Sequence, residues 1–446
     1  MTSTPTADPA SIQPWRSRTL RVNNERVLLE QLRVRGGASR AELARVTGIS
    51  KPTVSAALGN LAEAGLVRET GETTAASGRG RSAVLYEADP TAGYVIGVDI
   101  GRARIRVALA DLDGTIRARR EIPTTIEREL ASPETAADAI VANAARIARE
   151  MVAEAGLDWG LVVHVVVGTP GVFDPAGNAV RYAGSLPGWG QIGVVERLHQ
   201  ALGTALTVHN DANLAAFGEY TFGAGRGCPL MVFLMVGTGV GAGIVVDGQV
   251  FTGAHGAAGE VGYLPFPPQQ TTQRTDPPAP PHPTDATVAA IPPTPRHPHA
   301  AGSPEAEAPH HAFLQRGMLD AAAGGSAVTA LAAAAGSRHA QDPKAVFDAA
   351  RAGDEAALTA VRAEAGRLAH AVAAIAAMLD PELVILGGGI GDNTDLLLNP
   401  LYDALERLTP LRPPVVAAAL GGDAVLLGAI ATALTSARES VFERRL

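Results

Sequence analysis

The chain has 446 residues, 46% of them apolar and 18% charged, with a formal net charge of −8. That is about three times the usual domain of ~150 residues, and the apolar content excludes disorder of the whole chain. The single cysteine, Cys228, excludes a disulfide framework and a multi-cysteine metal site. No run reaches the roughly 18 apolar residues of a membrane span, and the amino end lacks the apolar core of a secretion signal. A cytoplasmic protein with no membrane partner is expected.

Charge is unevenly divided. Residues 1–90 carry 12 Arg and Lys against 9 Asp and Glu, a net of +3; the remainder carries 25 against 36, a net of −11. A small basic module on an acidic body can still bind nucleic acid.

Residues 1–19 read as a disordered tail, and residues 20–90 as a compact helical unit. Asn23–Arg35 has helical spacing, with Leu28 and Leu32 one turn apart, and Gly36-Gly37 ends it. Ser39 and Glu42 form a capping box that opens a short helix with Leu43 and Val46 inward, stopping at Gly48. Ser50 caps the next helix, with Pro52 in its first turn, where the missing N–H does no harm. Along it Val54, Leu58 and Leu61 make one apolar stripe. Gly65 ends that helix, and Leu66-Val67 and Ala83–Tyr86 are strands either side of a polar loop from Gly71 to Ser82.

Three helices and a two-stranded wing make a winged helix-turn-helix whose turn holds Gly48. Its recognition helix presents Ser50, Lys51, Thr53 and Ser55 to a major groove and its phosphates. The wing tip carries Arg79 and Arg81 on a glycine-rich backbone, suited to phosphates or a narrow minor groove.

Residues 91–446 form a second, α/β unit in which strands alternate with helices. Tyr94–Ile100, Arg104–Ala110 and a strand from Thr115 are followed by a helix from Pro133 to Ala155. Strands Leu161–Val167 and Ala205–Val208 precede a helix that starts near Asp211. Leu230–Val236 and Gly243–Val246 flank Gly237-Thr-Gly-Val-Gly241, and Leu383–Leu386 enters Gly387-Gly-Gly-Ile390. A last helix follows Gly422. Residues 267–309 interrupt the unit: 13 prolines and almost no aliphatic content describe a disordered, low-complexity insertion. The histidines His282, His297, His299, His310 and His311 are irregularly spaced, so no metal site is expected there.

Asp99 ends a buried strand before Ile100-Gly101, where a carboxylate can hold a magnesium–phosphate group. Gly237-Thr238-Gly239 is a turn whose amides can face a phosphate, and Gly387-Gly388 is another glycine turn. Asp211, beside Asn210, is placed to act as a base on a hydroxyl, and Glu260 to accept hydrogen bonds from sugar hydroxyls. Capping and turn duty is the alternative for both.

The order of winged helix, Gly97-Val-Asp-Ile-Gly101, Gly168-Thr-Pro-Gly171, Asn210-Asp-Ala-Asn213, Gly237-Thr-Gly-Val-Gly-Ala-Gly243, Gly256-Ala-Ala-Gly-Glu-Val-Gly262 and Gly387-Gly-Gly-Ile390 resembles the ROK family. The resemblance implies an actin-like, two-lobed sugar-kinase fold of the ribonuclease-H-like type. It also implies a homodimer or tetramer. Members with a winged helix are sugar-responsive transcriptional regulators, those of the xylose-repressor and N-acetylglucosamine-repressor types among them; those without it are mostly kinases.

Departures from the family pattern favour the regulators. Kinases read Asp-x-Gly-Gly-Thr-Lys where this chain reads Asp99-Ile-Gly101-Arg102-Ala103-Arg104. By resemblance, the family's zinc ligands are a histidine and three cysteines; here Tyr263 stands at the histidine position and Met318 at that of the last cysteine. No zinc or other cofactor is therefore expected. The sugar shell implied by the family keeps Asn210, Asp211 and Glu260, while Tyr263, Asp320 and Ser185 replace its histidine, second glutamate and asparagine. Losing one hydrogen bond from a buried hydroxyl site costs about 1–3 kcal/mol, so the ligand differs or binds more weakly. The resulting expectation is a repressor of carbohydrate uptake or catabolism genes, partnered by operator DNA and a sugar effector, and not an enzyme. The alternatives are an ATP-dependent sugar kinase with Asp211 as base, or a regulator whose sensor has degenerated.

Overall fold

The computed structural model describes residues 17–74, 83–124, 132–174, 176–184, 186–266 and 317–446. The wing tip with Arg79 and Arg81, Ser185 and the Pro-rich segment 267–309 lie outside them.

The amino-terminal unit is built as its caps direct. Its first helix, Ser17–Arg35, starts earlier than the apolar spacing indicates, within the segment expected as a tail. Ser39 caps the helix Arg40–Thr47 by accepting from the Glu42 amide, and Gly48 closes it in the left-handed conformation at φ 70°. Only the serine half of the expected capping box is formed among the described residues. The recognition helix, Lys51–Glu63, buries Val54, Ala57, Leu58 and Leu61. β1 (Ala38–Ser39), β2 (Val67–Thr74) and β3 (Ala83–Ala88) form a three-stranded sheet in the order β1-β3-β2, one strand more than the wing expected. β2 also runs past Gly71 into the expected loop, while β3 starts at Ala83 as expected and continues to Ala88.

The body holds two five-stranded sheets of the same design. In the first lobe the order is β10-β7-β4-β5-β6, made of β4 (Tyr94–Ile100), β5 (Arg104–Asp111), β6 (Ile116–Pro123), β7 (Val162–Thr169) and β10 (Leu206–Asn210). In the second it is β13-β12-β11-β14-β15, made of β11 (Leu230–Val236), β12 (Val240–Val246), β13 (Gln249–Val250), β14 (Leu383–Gly387) and β15 (Val415–Ala417). In each, a three-stranded antiparallel meander is extended by two parallel strands. A hairpin of β8 (Val172–Asp174) and β9 (Ala179–Arg181), which no sequence signal marked, projects from the first lobe.

Two helices cross between the lobes and exchange sheets. The helix Asp211–Phe222 leaves β10 but packs on β11 and β12 of the second lobe; the C-terminal helix, Ala424–Arg445, leaves β15 but packs on β4 and β7 of the first. Their crossing is a glycine contact: a Cβ on Gly428 would lie 1.8 Å from the Leu214 carbonyl oxygen, and one on Gly218 would lie 2.4 Å from that of Ala424. No larger residue fits there without moving a backbone. Gly421–Arg445 is long and apolar enough to span a bilayer, yet it is a largely buried core helix.

The same helix carries the winged unit. Arg445 donates to the Ala64 carbonyl at 3.2 Å, the Gly65 carbonyl at 3.0 Å and the Ala92 carbonyl at 2.5 Å. Ala64 and Gly65 form the turn that ends the recognition helix. Arg26 of the first helix pairs with Glu439 and lies over the Phe442 ring, 5.1 Å from its centroid. Leu28, Leu58, Tyr86, Val441 and Phe442 belong to one continuous apolar cluster, so the winged unit and the lobes share a core.

Candidate functional site

On the winged unit, Lys51 and Ser55 are exposed on the recognition helix, along with Pro52, Ala56 and Gly59. Small residues at that spacing leave room for a groove edge to approach the helix. Ser50 and Thr53 are first of all a cap: Ser50 Oγ accepts from the Thr53 amide at 3.4 Å and lies 2.8 Å from Thr53 Oγ1. The two hydroxyls therefore order the turn, and Lys51 is the exposed charge at the helix amino end.

In the body, the ends of β4 and β10, the helix after β10, the Glu260 turn and the short helix Met318–Ala322 converge on one cleft. Asp99, Asp211, Glu260 and Asp320 are close enough for their charges to interact. Burial, opposed by Arg106 and reinforced by Asp211, carries Asp99 up to about 7. Glu260 is likewise pushed to about 7 by burial, then by Asp211 and Asp320. Burial also raises Asp211, against a 2.8 Å hydrogen bond from the Ala212 amide. Asp211 and Glu260 are thus near enough for their charges to interact.

Asn210 is more constrained than a free ligand. Its Oδ1 caps the following helix through the Asn213 amide at 3.1 Å, and its Nδ2 donates to the Gly171 carbonyl at 3.2 Å. It joins the Gly168–Gly171 loop to Asp211 and holds that carboxylate in place. Tyr263 lies at the cleft mouth, its ring 5.3 Å from that of Tyr182 in an edge-to-face contact. Burial, then Glu260, raises its hydroxyl.

The phosphate end is filled from within. Asp99 and Arg106 face each other across β4 and β5 in register, and Arg106 Nη2 lies 2.9 Å from Asp99 Oδ2. Arg106 also donates to the Gly422 carbonyl, and Arg119 grips Asp423, so both arginines tie the first lobe to the start of the C-terminal helix. In the second turn the Gly237 amide donates to the Gly239 carbonyl at 2.9 Å. The Val240 amide donates to Asp320 Oδ1 at 2.6 Å. Asp320 sits so close to this turn that a Cβ on Gly239 would lie 2.3 Å from its Oδ1. Asp320, expected in the sugar shell, is thus hydrogen-bonded to the glycine turn expected to face phosphate. Thr238 is exposed at the tip of that turn, and Gly101 donates to the Arg104 carbonyl at 2.9 Å. Gly387 and Gly388 are there for packing: a Cβ on Gly387 would lie 2.6 Å from the Phe233 ring, and one on Gly388 2.7 Å from the Val236 carbonyl oxygen.

Sequence reasoning missed Arg106, Tyr182 and Arg445. Arg106 had one available signal, a charge at an inward position two residues after Arg104 in an apolar strand. Tyr182 and Arg445 had none.

The chain matches the ROK family over residues 95–436 and the MarR family over residues 24–79. It is 30% identical over 344 residues to a glucokinase of Streptomyces coelicolor, covering 76% of this chain and 96% of the relative. It is 28% identical to the xylose repressor of Bacillus subtilis, covering 52% of this chain and 58% of the repressor. A crystal structure of a ROK family transcriptional regulator, a homologue of the E. coli MLC protein, superposes with a TM-score of 0.66 at 20% identity. That match covers 95% of this chain and 98% of the regulator, so its fold embraces winged unit and body together. A ROK family glucokinase from Streptomyces griseus, in complex with glucose and AMPPNP, superposes at 0.56 with 27% identity over 77% of this chain and 100% of its own. The chain belongs to the ROK family and carries a MarR-type winged helix-turn-helix at its amino end.

Proposed function

We propose that this chain is a DNA-binding repressor of carbohydrate uptake or catabolism genes, acting in the cytoplasm on operator DNA as a homodimer or tetramer. A sugar held by Asn210, Asp211 and Glu260 is its effector. The observation that carries the reading is the capped recognition helix with Lys51 and Ser55 exposed, tied at its far end by Arg445 to the C-terminal helix that crosses between the lobes. A ligand that favours one lobe geometry then shifts the winged unit, whereas one with equal affinity for both would shift nothing.

The body senses without phosphorylating. Arg106 takes the position beside Asp99 that a metal–phosphate group needs, and Asp320 takes an amide of the second phosphate turn. Tyr263 and Met318 offer a phenol and a thioether in place of zinc donors, so the reading includes no metal cofactor. A sugar kinase is the second reading, favoured by the retained Asp211 and by the similarity to glucokinases.

The deciding experiment is a gel shift of the purified chain on DNA upstream of its own gene, with a panel of sugars. A shift released by one sugar supports the regulator and names its effector. A shift that no sugar changes points to a degenerated sensor. Absence of a shift at low salt removes the DNA-binding reading and leaves the kinase to be assayed.

A further inference from the structure

Of the four described non-glycine residues with a left-handed backbone, Tyr182 is the aromatic one. It follows β9 in the first lobe with φ 62°, a left-handed backbone that a bulky aromatic residue adopts only under strain. The residue is also 46% exposed. Buried neighbours on both sides, Val180 and Ala183, anchor the segment in the first-lobe core, so the strain is imposed by a firm frame. Held this way, Tyr182 reaches across the cleft to Tyr263, which stands on the second lobe beside Glu260. Arg181 lies on its other flank, 5.9 Å from the ring centroid, and is itself 3.5 Å from Asp174.

Position defines the role. Glu260 feels the charge of Asp211, Tyr263 feels that of Glu260, and Tyr182 lies one ring further out and more exposed. Tyr182, nearly half exposed beside this site, is accessible to whatever a bound ring carries towards solvent. Sites for small molecules combine a few convergent polar groups with aromatic walls in this way.

We propose that Tyr182 is the platform of a second subsite, and that the effector is a glycoside or disaccharide whose second ring stacks on it. This rests on the reading of the cleft as a sugar site. Because Tyr182 and Tyr263 belong to different lobes, a ligand that spans both rings also holds the lobes together, which a monosaccharide on the carboxylates does less well.

The test compares free glucose, xylose and N-acetylglucosamine with their 4-nitrophenyl α- and β-glycosides, by calorimetric titration of the full chain, with 4-nitrophenol alone as control. At least one glycoside should bind about fivefold more tightly than its parent sugar, the size of gain that aromatic pairing supplies. Tyr182→Gly, which suits the backbone conformation, should erase that gain and leave the free sugar's affinity unchanged; Tyr182→Trp should keep it. A gain that survives in Tyr182→Gly, or a parent sugar that binds as tightly as every glycoside, overturns the subsite while leaving the sugar site standing. Failure of all free sugars and glycosides to bind overturns both.

Discussion

Arg445→Ala should separate sugar sensing from DNA binding. In the native chain this guanidinium forks onto the Ala64 and Gly65 carbonyls and reaches that of Ala92, joining the last turn of the C-terminal helix to the end of the recognition helix and to the linker. Hydrogen bonds from a charged group are worth about 1.5–3 kcal/mol when shielded, but Arg445 is exposed, and exposed pairs give about 0–1 kcal/mol each. Three such contacts make about 1–2 kcal/mol of docking energy. Coupling between two sites is itself about 1–3 kcal/mol, so removing them should weaken the effect of sugar on DNA affinity by roughly 5–30-fold. The recognition face is untouched, so DNA affinity without sugar should change little. Arg445→Lys keeps the charge but loses the planar fork, and should fall between. Fluorescence anisotropy on upstream DNA, with and without the effector sugar, reads both quantities at once. A full sugar response in Arg445→Ala would refute the C-terminal helix as the relay.

What was legible in the sequence was local. Ser39 and Ser50 mark helix caps through contacts three residues away, and the structure forms each of them. Asn210 and Asp211 were legible for the same reason, since a strand end running into a helix cap is one short segment. Partners across sheets and lobes were not. Arg106 meets Asp99 only because β4 and β5 pair in one register, and a slip of one residue would turn Arg106 to the other face. Tyr182 meets Tyr263 only once the lobes are assembled. Gly218 and Gly428 look like helix-weakening residues until their crossing is seen to need backbone contact. Strand β12 begins at Val240 rather than Gly243 because its partner, β11, pairs through to Val236 and draws the glycine-rich segment into the sheet. The repeated topology of the two sheets was equally hidden, being a likeness of connection and not of residues.

Three further outcomes follow from the site and its surroundings. Lys51→Ala should weaken binding to all DNA sequences alike and lower the salt slope by about 0.9 for a lost phosphate contact; titrations at several salt concentrations measure it, and an unchanged slope would exclude that contact. With Arg106 on Asp99 and Asp320 on the Val240 amide, Mg·ATP and hexoses should yield no ADP; ADP release abolished by Asp211→Asn would restore the kinase reading. The last outcome concerns Glu364, fully buried under the second lobe, whose Oε1 accepts from the Gly324 amide at 2.8 Å while Oε2 has no hydrogen-bond partner among the described residues. Burial lifts this carboxyl from its ordinary 4.5 to about 7. Between those values the folded chain keeps a proton that the unfolded chain has released, so its contribution to stability is greatest at low pH and is lost as pH rises towards 7. The shift amounts to at most about 3 kcal/mol. Glutamine carries no charge and preserves the acceptor for Gly324, so Glu364→Gln should melt above the native chain at pH 8 and nearly with it at pH 5. The same difference at both pH values would mean that the carboxyl is not protonated in the fold, and that the unpartnered Oε2 is compensated in some other way.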